Sequence, residues 1–132
     1  MITGIAHSCY IVADLDRSLK FYVDALGMKR AFDFTKDGKR TGAYVKAGRR
    51  TFIELFQGTL AAKAEKQSYG HICLEVESVE ATVKELRAKG IEISDAKLGL
   101  DQSWQAWLTD PDGNRIELHG YTPESWQAPW LK

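Results

Sequence analysis

Slid against itself by 64 positions, this 132-residue chain repeats its own first half. His7 and Cys9 fall on His71 and Cys73. Leu15, Leu19 and Tyr22 fall on Val79, Val83 and Leu86, two triplets spaced i, i+4, i+7 like the apolar stripe of an amphipathic helix. Asp14 and Ser78 stand where an N-cap side chain would accept from the first turn, and Gly27 and Gly90 where a helix would stop. Those glycines are 63 apart, so one residue is lost in the second helix or its end, and the offset stays at 63 beyond it. Ala43-Tyr44-Val45 then falls on Ala106-Trp107-Leu108, and Ile53-Glu54-Leu55 on Ile116-Glu117-Leu118. Turns separate each pair, "KAGRR" in the first half and Asp110-Pro111-Asp112-Gly113 in the second, the latter a strong hairpin signal. Each half therefore reads strand, helix, strand, strand, strand, with the second strands near Lys29–Phe34 and Ile91–Ser94.

The fold class expected is α+β, with two tandem βαβββ modules forming a curved mixed sheet around a cavity. Residues 1–132 make one domain: module one about 1–57, a polar linker over 58–69, module two about 70–120, and a tail over 121–132 that lies outside the repeat. With 18 basic and 18 acidic residues and no basic stripe, nucleic acid is not an expected partner. No stretch approaches the ~20 apolar residues of a membrane span, and the N-terminus carries no export signal. The two cysteines make no disulfide framework, so a cytoplasmic protein is expected.

Strand side chains alternate between faces. In "HICLEV", Ile72, Leu74 and Val76 pack under the helix, and His71, Cys73 and Glu75 face away. In "RIELH", Ile116 and Leu118 go under the helix, and Arg115, Glu117 and His119 face away. In "FIELF", Glu54 shares a face with Phe52 and Phe56. In "AHSCYIV", His7, Cys9 and Ile11 are on one face. Each half thus offers one His and one Glu on the face opposite its helix. Two buried, unpaired carboxylates would cost several kcal/mol each. A divalent cation removes that cost, since two neutral imidazoles and two carboxylates balance a 2+ charge. These N/O donors suit Ni, Co, Zn, Mn or Fe, and four protein ligands leave positions open on an octahedral ion, as a catalytic centre requires. The candidate metal ligands are His7, Glu54, His71 and Glu117.

The chain resembles the vicinal oxygen chelate superfamily over nearly its whole length, most strongly in "HSCYIVADLDRSLKFYVDALGMK", "YGHICLEV" and "DPDGNRIEL". Members pair two βαβββ modules around a divalent metal. Extradiol dioxygenases and fosfomycin-resistance thiol transferases take two His and one Glu, and bleomycin-binding members have lost the ligands. The four-ligand set His7, Glu54, His71 and Glu117 is most similar to glyoxalase I. That resemblance implies a metal-dependent lyase, of the lactoylglutathione lyase kind, isomerising the hemithioacetal of a 2-oxoaldehyde through an enediolate. It implies that a metal-ligating glutamate takes the C1 proton and returns it to C2, with Glu117 favoured and Glu54 its counterpart. It also implies a homodimer. The alternatives are a metal-dependent isomerase or epimerase on another small carbonyl substrate, and a non-catalytic small-molecule-binding protein.

Two positions depart from the bacterial glyoxalase I pattern. The arginine expected four residues after the first ligand His is Ile11, and the asparagine expected four after the first ligand Glu is Gly58. Ile11 offers no bidentate donor to a glutathione carboxylate, which leaves Arg115 and Arg49 as candidates. Cys9 and Cys73 read either as metal ligands or a redox pair, or as small apolar filler. His119 reads as a support for the metal ligands or as a surface histidine. Trp104 and Trp107 are three apart on one strand, so only one lines the ligand face. Trp126 and Trp130 in the tail are exposed hydrophobes that suggest a partner subunit.

Overall fold

Asp14 accepts a hydrogen bond from Arg17 N (3.0 Å) and Ser78 from Ala81 N (3.2 Å), and behind each cap a helix starts. In the computed structural model, which describes residues 1–63 and 67–131, those two helices sit in two units, Met1–Glu65 and Lys66–Lys132. Residues 64–66 of the expected linker and Lys132 of the expected tail lie outside the described residues.

The first unit runs β1 (His7–Val12), α1 (Leu15–Leu19) continued by a π-helical turn (Lys20–Ala25), β2 (Lys29–Lys36), β3 (Lys39–Lys46) and β4 (Phe52–Gln57). The second runs β5 (Ile72–Glu75), α2 (Val79–Ala88), β6 (Lys97–Leu98), β7 (Trp104–Thr109) and β8 (Arg115–Gly120), followed by a short 3₁₀ turn at Ala128–Trp130. The sheets have the orders β1-β4-β3-β2 and β5-β8-β7-β6. In each, the first strand lies parallel to the last and the remaining pairs are antiparallel. The architecture is the expected α+β pair of βαβββ modules.

One face of each sheet is apolar and carries the helix. Leu15, Leu19 and Tyr22 are buried with Val45, Ile53 and Leu55, and Val79, Val83 and Leu86 with Leu108, Ile116 and Leu118. Each such side chain contributes about 1.5–3 kcal/mol by leaving water, so the helical stripe is what fixes each helix to its sheet.

The shift of repeat offset from 64 to 63 has a physical location. Leu26 N bonds Phe21 O (2.9 Å), a five-residue step that makes room for one extra residue inside the first helix. Downstream, Met28 N bonds Tyr22 O (3.1 Å), whereas Ile91 N bonds Leu86 O (2.9 Å), so the first helix exit spans one residue more. Both helices then stop at a glycine in the left-handed region, Gly27 (φ 73°) and Gly90 (φ 77°).

The strand expected at Ile91–Ser94 is not formed; β6 is the two-residue Lys97–Leu98. Ser94 still meets β7: its N bonds Trp107 O (2.9 Å), while its hydroxyl accepts from Trp107 N (2.9 Å). A side-chain oxygen takes the place of a ladder carbonyl, which ends strand pairing there. The hairpin at Asp110 forms as expected, with Asp110 Oδ1 accepting from Asp112 N (2.9 Å) and Asn114 N (2.8 Å).

Candidate functional site

The two sheets bring equivalent residues into register. Cys9 pairs with Glu54 and Glu54 with Tyr44 across β1, β4 and β3. Cys73 pairs with Glu117 and Glu117 with Trp107 across β5, β8 and β7. The buried neighbours Ile53 and Leu55, and Ile116 and Leu118, face the helices, so both glutamates stand on the opposite face.

Within the first unit, His7 Nε2 lies 4.0 Å from Glu54 Oε1. Within the second, His71 Nε2 lies 3.0 Å from Glu117 Oε2. Two ligands bound about 2.1 Å from one ion lie ~3.0 Å apart at a right angle and up to ~4.2 Å apart when opposite. Both pairs fall in that span, and nitrogen with carboxylate oxygen is the donor set that borderline divalent ions take. The residues therefore fit a metal.

The two pairs are braced differently. Tyr44 OH lies 3.1 Å from His7 Nδ1, the arrangement that fixes the ring and leaves Nε2 toward Glu54. Trp107, at the equivalent place, has no hydroxyl and sets its ring edge against His71 (centroids 4.8 Å apart, 80°). There the glutamate is the braced member: Glu117 Oε1 lies 3.3 Å from His119 Nδ1. His119 is buried and its Nε2 is 3.8 Å from Asp101 Oδ2. Cys73, Glu117 and His119 also bring three donor atoms within 4.8 Å of one another. Sequence parity places His119 on this face, but neither Tyr44 nor Asp101 carries a sequence signal, since both reach the site only through strand pairing and loop packing.

The cysteines are in no disulfide. Burial, then the Glu117 carboxylate beside it, pushes the Cys73 thiol up to about 12, and burial and Glu54 push the Cys9 thiol up as well. A thiol so raised is a poor nucleophile at neutral pH, which speaks against a redox pair.

The remaining surface of the first unit's face is aromatic. Phe32 stacks on Tyr44 (4.8 Å), Tyr44 on Phe52 (4.9 Å), and Phe34 tilts against Phe56 (4.8 Å). Gly42 permits this: a Cβ there would stand 2.6 Å from Phe56 Cδ1 and from Leu55 O. Ile11 and Gly58 are coupled in the same way, since a Cβ on Gly58 would stand 2.6 Å from Ile11 Cγ2. Arg115 sets its guanidinium over the Trp107 ring at 4.0 Å, and Trp107, not Trp104, is the tryptophan in register with Glu117.

The sequence profile of the Glyoxalase/Bleomycin resistance protein/Dioxygenase superfamily matches residues 4–118. A probable lactoylglutathione lyase of Synechocystis sp. is 34% identical over 122 residues, covering 86% of this chain and 92% of that protein. A metallothiol transferase, FosB, of Staphylococcus epidermidis is 33% identical over 129 residues, covering 89% and 82%. A probable chloroplastic lactoylglutathione lyase of Arabidopsis thaliana is 33% identical over 128 residues, but the chain spans only 36% of its length. The crystal structure of a glyoxalase family protein from Enterococcus faecalis superposes with a TM-score of 0.75 at 23% identity, covering 88% of this chain and 96% of that one, a likeness of fold.

Proposed function

Since the chain belongs to the Glyoxalase/Bleomycin resistance protein/Dioxygenase superfamily, we propose that it is a metal-dependent glyoxalase I-like lyase whose metal ligands are His7, Glu54, His71 and Glu117. One observation carries the reading: each module holds an imidazole Nε2 beside a glutamate oxygen, at 4.0 Å and 3.0 Å, on the sheet face away from its helix. The ion is nickel, zinc, cobalt, manganese or iron. The modules, 1–57 and 70–120, with the linker 58–69 and the tail 121–132, act as a single domain, in a cytoplasmic homodimer; among the described residues no helix is long and apolar enough to cross a membrane.

The substrate is a small 2-oxoaldehyde carried as a thiol hemithioacetal, a class supported by relatives named lactoylglutathione lyase and metallothiol transferase. When bound, the divalent ion supplies positive charge that stabilises the negative charge developing on the substrate oxygens. Glu117 accepts the C1 proton and returns it to C2, so the hemithioacetal becomes a thioester through an enediolate with no net gain or loss of electrons. Glu54 is its counterpart. His7 and His71 hold the ion and take no proton.

A second reading, an isomerase or epimerase acting on a small carbonyl substrate without the thiol, is favoured by Ile11. Its methyl group occupies the space that a side chain at position 58 would need, so both places for polar thiol contacts are apolar. Elemental analysis of the purified protein, followed by methylglyoxal turnover with and without glutathione, separates the two. One equivalent of transition metal and glutathione-dependent, chelator-sensitive turnover is expected. Absence of transition metal, with none taken up on reconstitution, rejects both readings.

A further inference from the structure

Glu54 and Glu117 are equivalent in the repeat, yet their surroundings are not. The residue two beyond Glu117 is His119, and the residue two beyond Glu54 is Phe56. His119 Nδ1 lies 3.3 Å from Glu117 Oε1, while Glu117 Oε2 lies 3.0 Å from His71 Nε2. The carboxylate is therefore held at both oxygens by different rings. An ionised carboxylate only accepts, so the hydrogen in the first contact is on His119 Nδ1. Phe56 offers Glu54 nothing comparable and instead packs against Phe34.

His119 is itself locked. It is buried, with its ring edge against Tyr121 (centroids 4.8 Å apart, 70°). Its Nε2 has no hydrogen-bond partner among the described residues and lies 3.8 Å from Asp101 Oδ2. Asp101 accepts from Ser103 N (3.2 Å) and from Gln127 Nε2 (2.6 Å). Ser125, also in the tail, is buried and bonds the Ser103 hydroxyl (2.7 Å). Contacts thus run from the tail, which has no counterpart in the first module, through Asp101 and His119 to one oxygen of one glutamate.

We propose that His119 is a positioning residue for Glu117, holding Oε1 so that Oε2 keeps its orientation toward His71 and the ion. This rests on the metal reading above. It breaks the symmetry of the repeat: Glu117 has a second imidazole contact that persists when its other oxygen changes partner, and at the equivalent place beside Glu54 the chain has Phe56. A carboxylate that both ligates and moves a proton keeps its orientation better with such a contact, which supports Glu117 over Glu54 as the base.

The test has a metal-free arm and a metal arm. In the metal-free protein, long-range ¹H–¹⁵N spectra of the imidazoles are expected to show His119 protonated on Nδ1, with that resonance moved by Glu117→Gln. A His119 protonated on Nε2 alone, or unmoved by Glu117→Gln, overturns the proposal whatever the metal does. In the metal arm, Co²⁺ is titrated and followed by its visible absorption. His119→Phe, which copies the first module, is expected to weaken Co²⁺ about 10–100-fold while still reaching one equivalent. His119→Asn, whose amide nitrogen sits where Nδ1 was, is expected to stay within about threefold of the parent protein, on the same scale. If His119→Phe does not fold by circular dichroism, His119→Ala carries the same expectation. Parent-like Co²⁺ affinity in His119→Phe or His119→Ala overturns the proposal. So does loss of the bound equivalent, which would make His119 a ligand. If the parent protein itself takes no Co²⁺, the metal reading fails, and the metal-free arm still decides whether His119 holds Glu117.

Discussion

Glu117 Oε2 stands 3.0 Å from His71 Nε2, a full ångström closer than Glu54 Oε1 stands to His7 Nε2 at 4.0 Å. The repeat makes the two pairs equivalent in sequence, so the difference comes from what surrounds them. Removing His71 deletes the partner of the tighter pair. His71→Ala is expected to weaken divalent metal more than about 100-fold, beyond the ~10–100-fold that losing a supporting contact costs. Isothermal titration with Co²⁺ or Ni²⁺ measures it, and retention of one equivalent at parental affinity would remove His71 from the ligand set.

Glu117→Gln keeps an oxygen that can face the ion but removes the site that takes the proton. Turnover of the methylglyoxal–glutathione hemithioacetal is expected to fall about 100-fold or more, with much of the metal retained. Glu54→Gln is expected to lose less. Equal losses would assign both carboxylates to proton transfer, and unchanged turnover in Glu117→Gln would take it out of the chemistry.

The parts legible in the sequence are those set by local periodicity. Leu15, Leu19 and Tyr22, and Val79, Val83 and Leu86, announce their helices because a helical stripe must be apolar to stay on its sheet. Strand parity places Glu54 and Glu117 away from the helices for the same reason. What stays hidden depends on long-range packing. Tyr44 reaches His7 across 37 residues, and Asp101 reaches His119 only because the tail presses Gln127 and Ser125 against the loop before β7. Ser94 reads as strand and ends one instead, because its hydroxyl accepts from Trp107 N. No residue type marks the π-helical turn, which shows only as a change of repeat offset.

The Asp101 carboxyl is held below its ordinary value of 3.8, first by the Gln127 amide that donates to it and then by Ser103. With a depressed folded-state value, the contribution to stability is present above the unfolded value and lost as pH falls through the folded one. Asp101→Asn is therefore expected to lower the urea midpoint at pH 7, and the gap to the parent protein is expected to close in acid, at a pH below the carboxyl's ordinary 3.8. Urea titrations at both pH values read it; a gap that persists in acid would mean the side chain acts by packing and not by charge.

Trp126 and Trp130 are 64% and 86% exposed, a pair of large apolar rings in the segment after β8. Exposure on that scale favours burial against another copy. Light scattering at micromolar concentration is expected to return twice the chain mass, and Trp126→Ser with Trp130→Ser is expected to shift it toward the single-chain value. A single-chain mass for the parent protein would defeat the homodimer.

The π-helical turn makes a deletion that should be harmless. Asp24 is exposed and lies beyond Tyr22, the last residue of the buried stripe in the first helix. Removing it shortens the exit toward that of α2, where Ile91 N already closes on Leu86 O. Leu15, Leu19 and Tyr22 keep their spacing, so the helix stays seated on its sheet. The loss is expected to be under about 1 kcal/mol, the scale of a change that leaves the core untouched. Deleting Lys84 from α2 is the contrast. It turns everything after it by about 100°, taking Leu86 off the stripe it shares with Val79 and Val83. That costs the burial of a leucine, about 2–5 kcal/mol. Urea midpoints of the two single-residue deletions compare them directly. If deleting Asp24 destabilises as much as deleting Lys84, the extra residue is part of the packing and not an insertion that the helix absorbs.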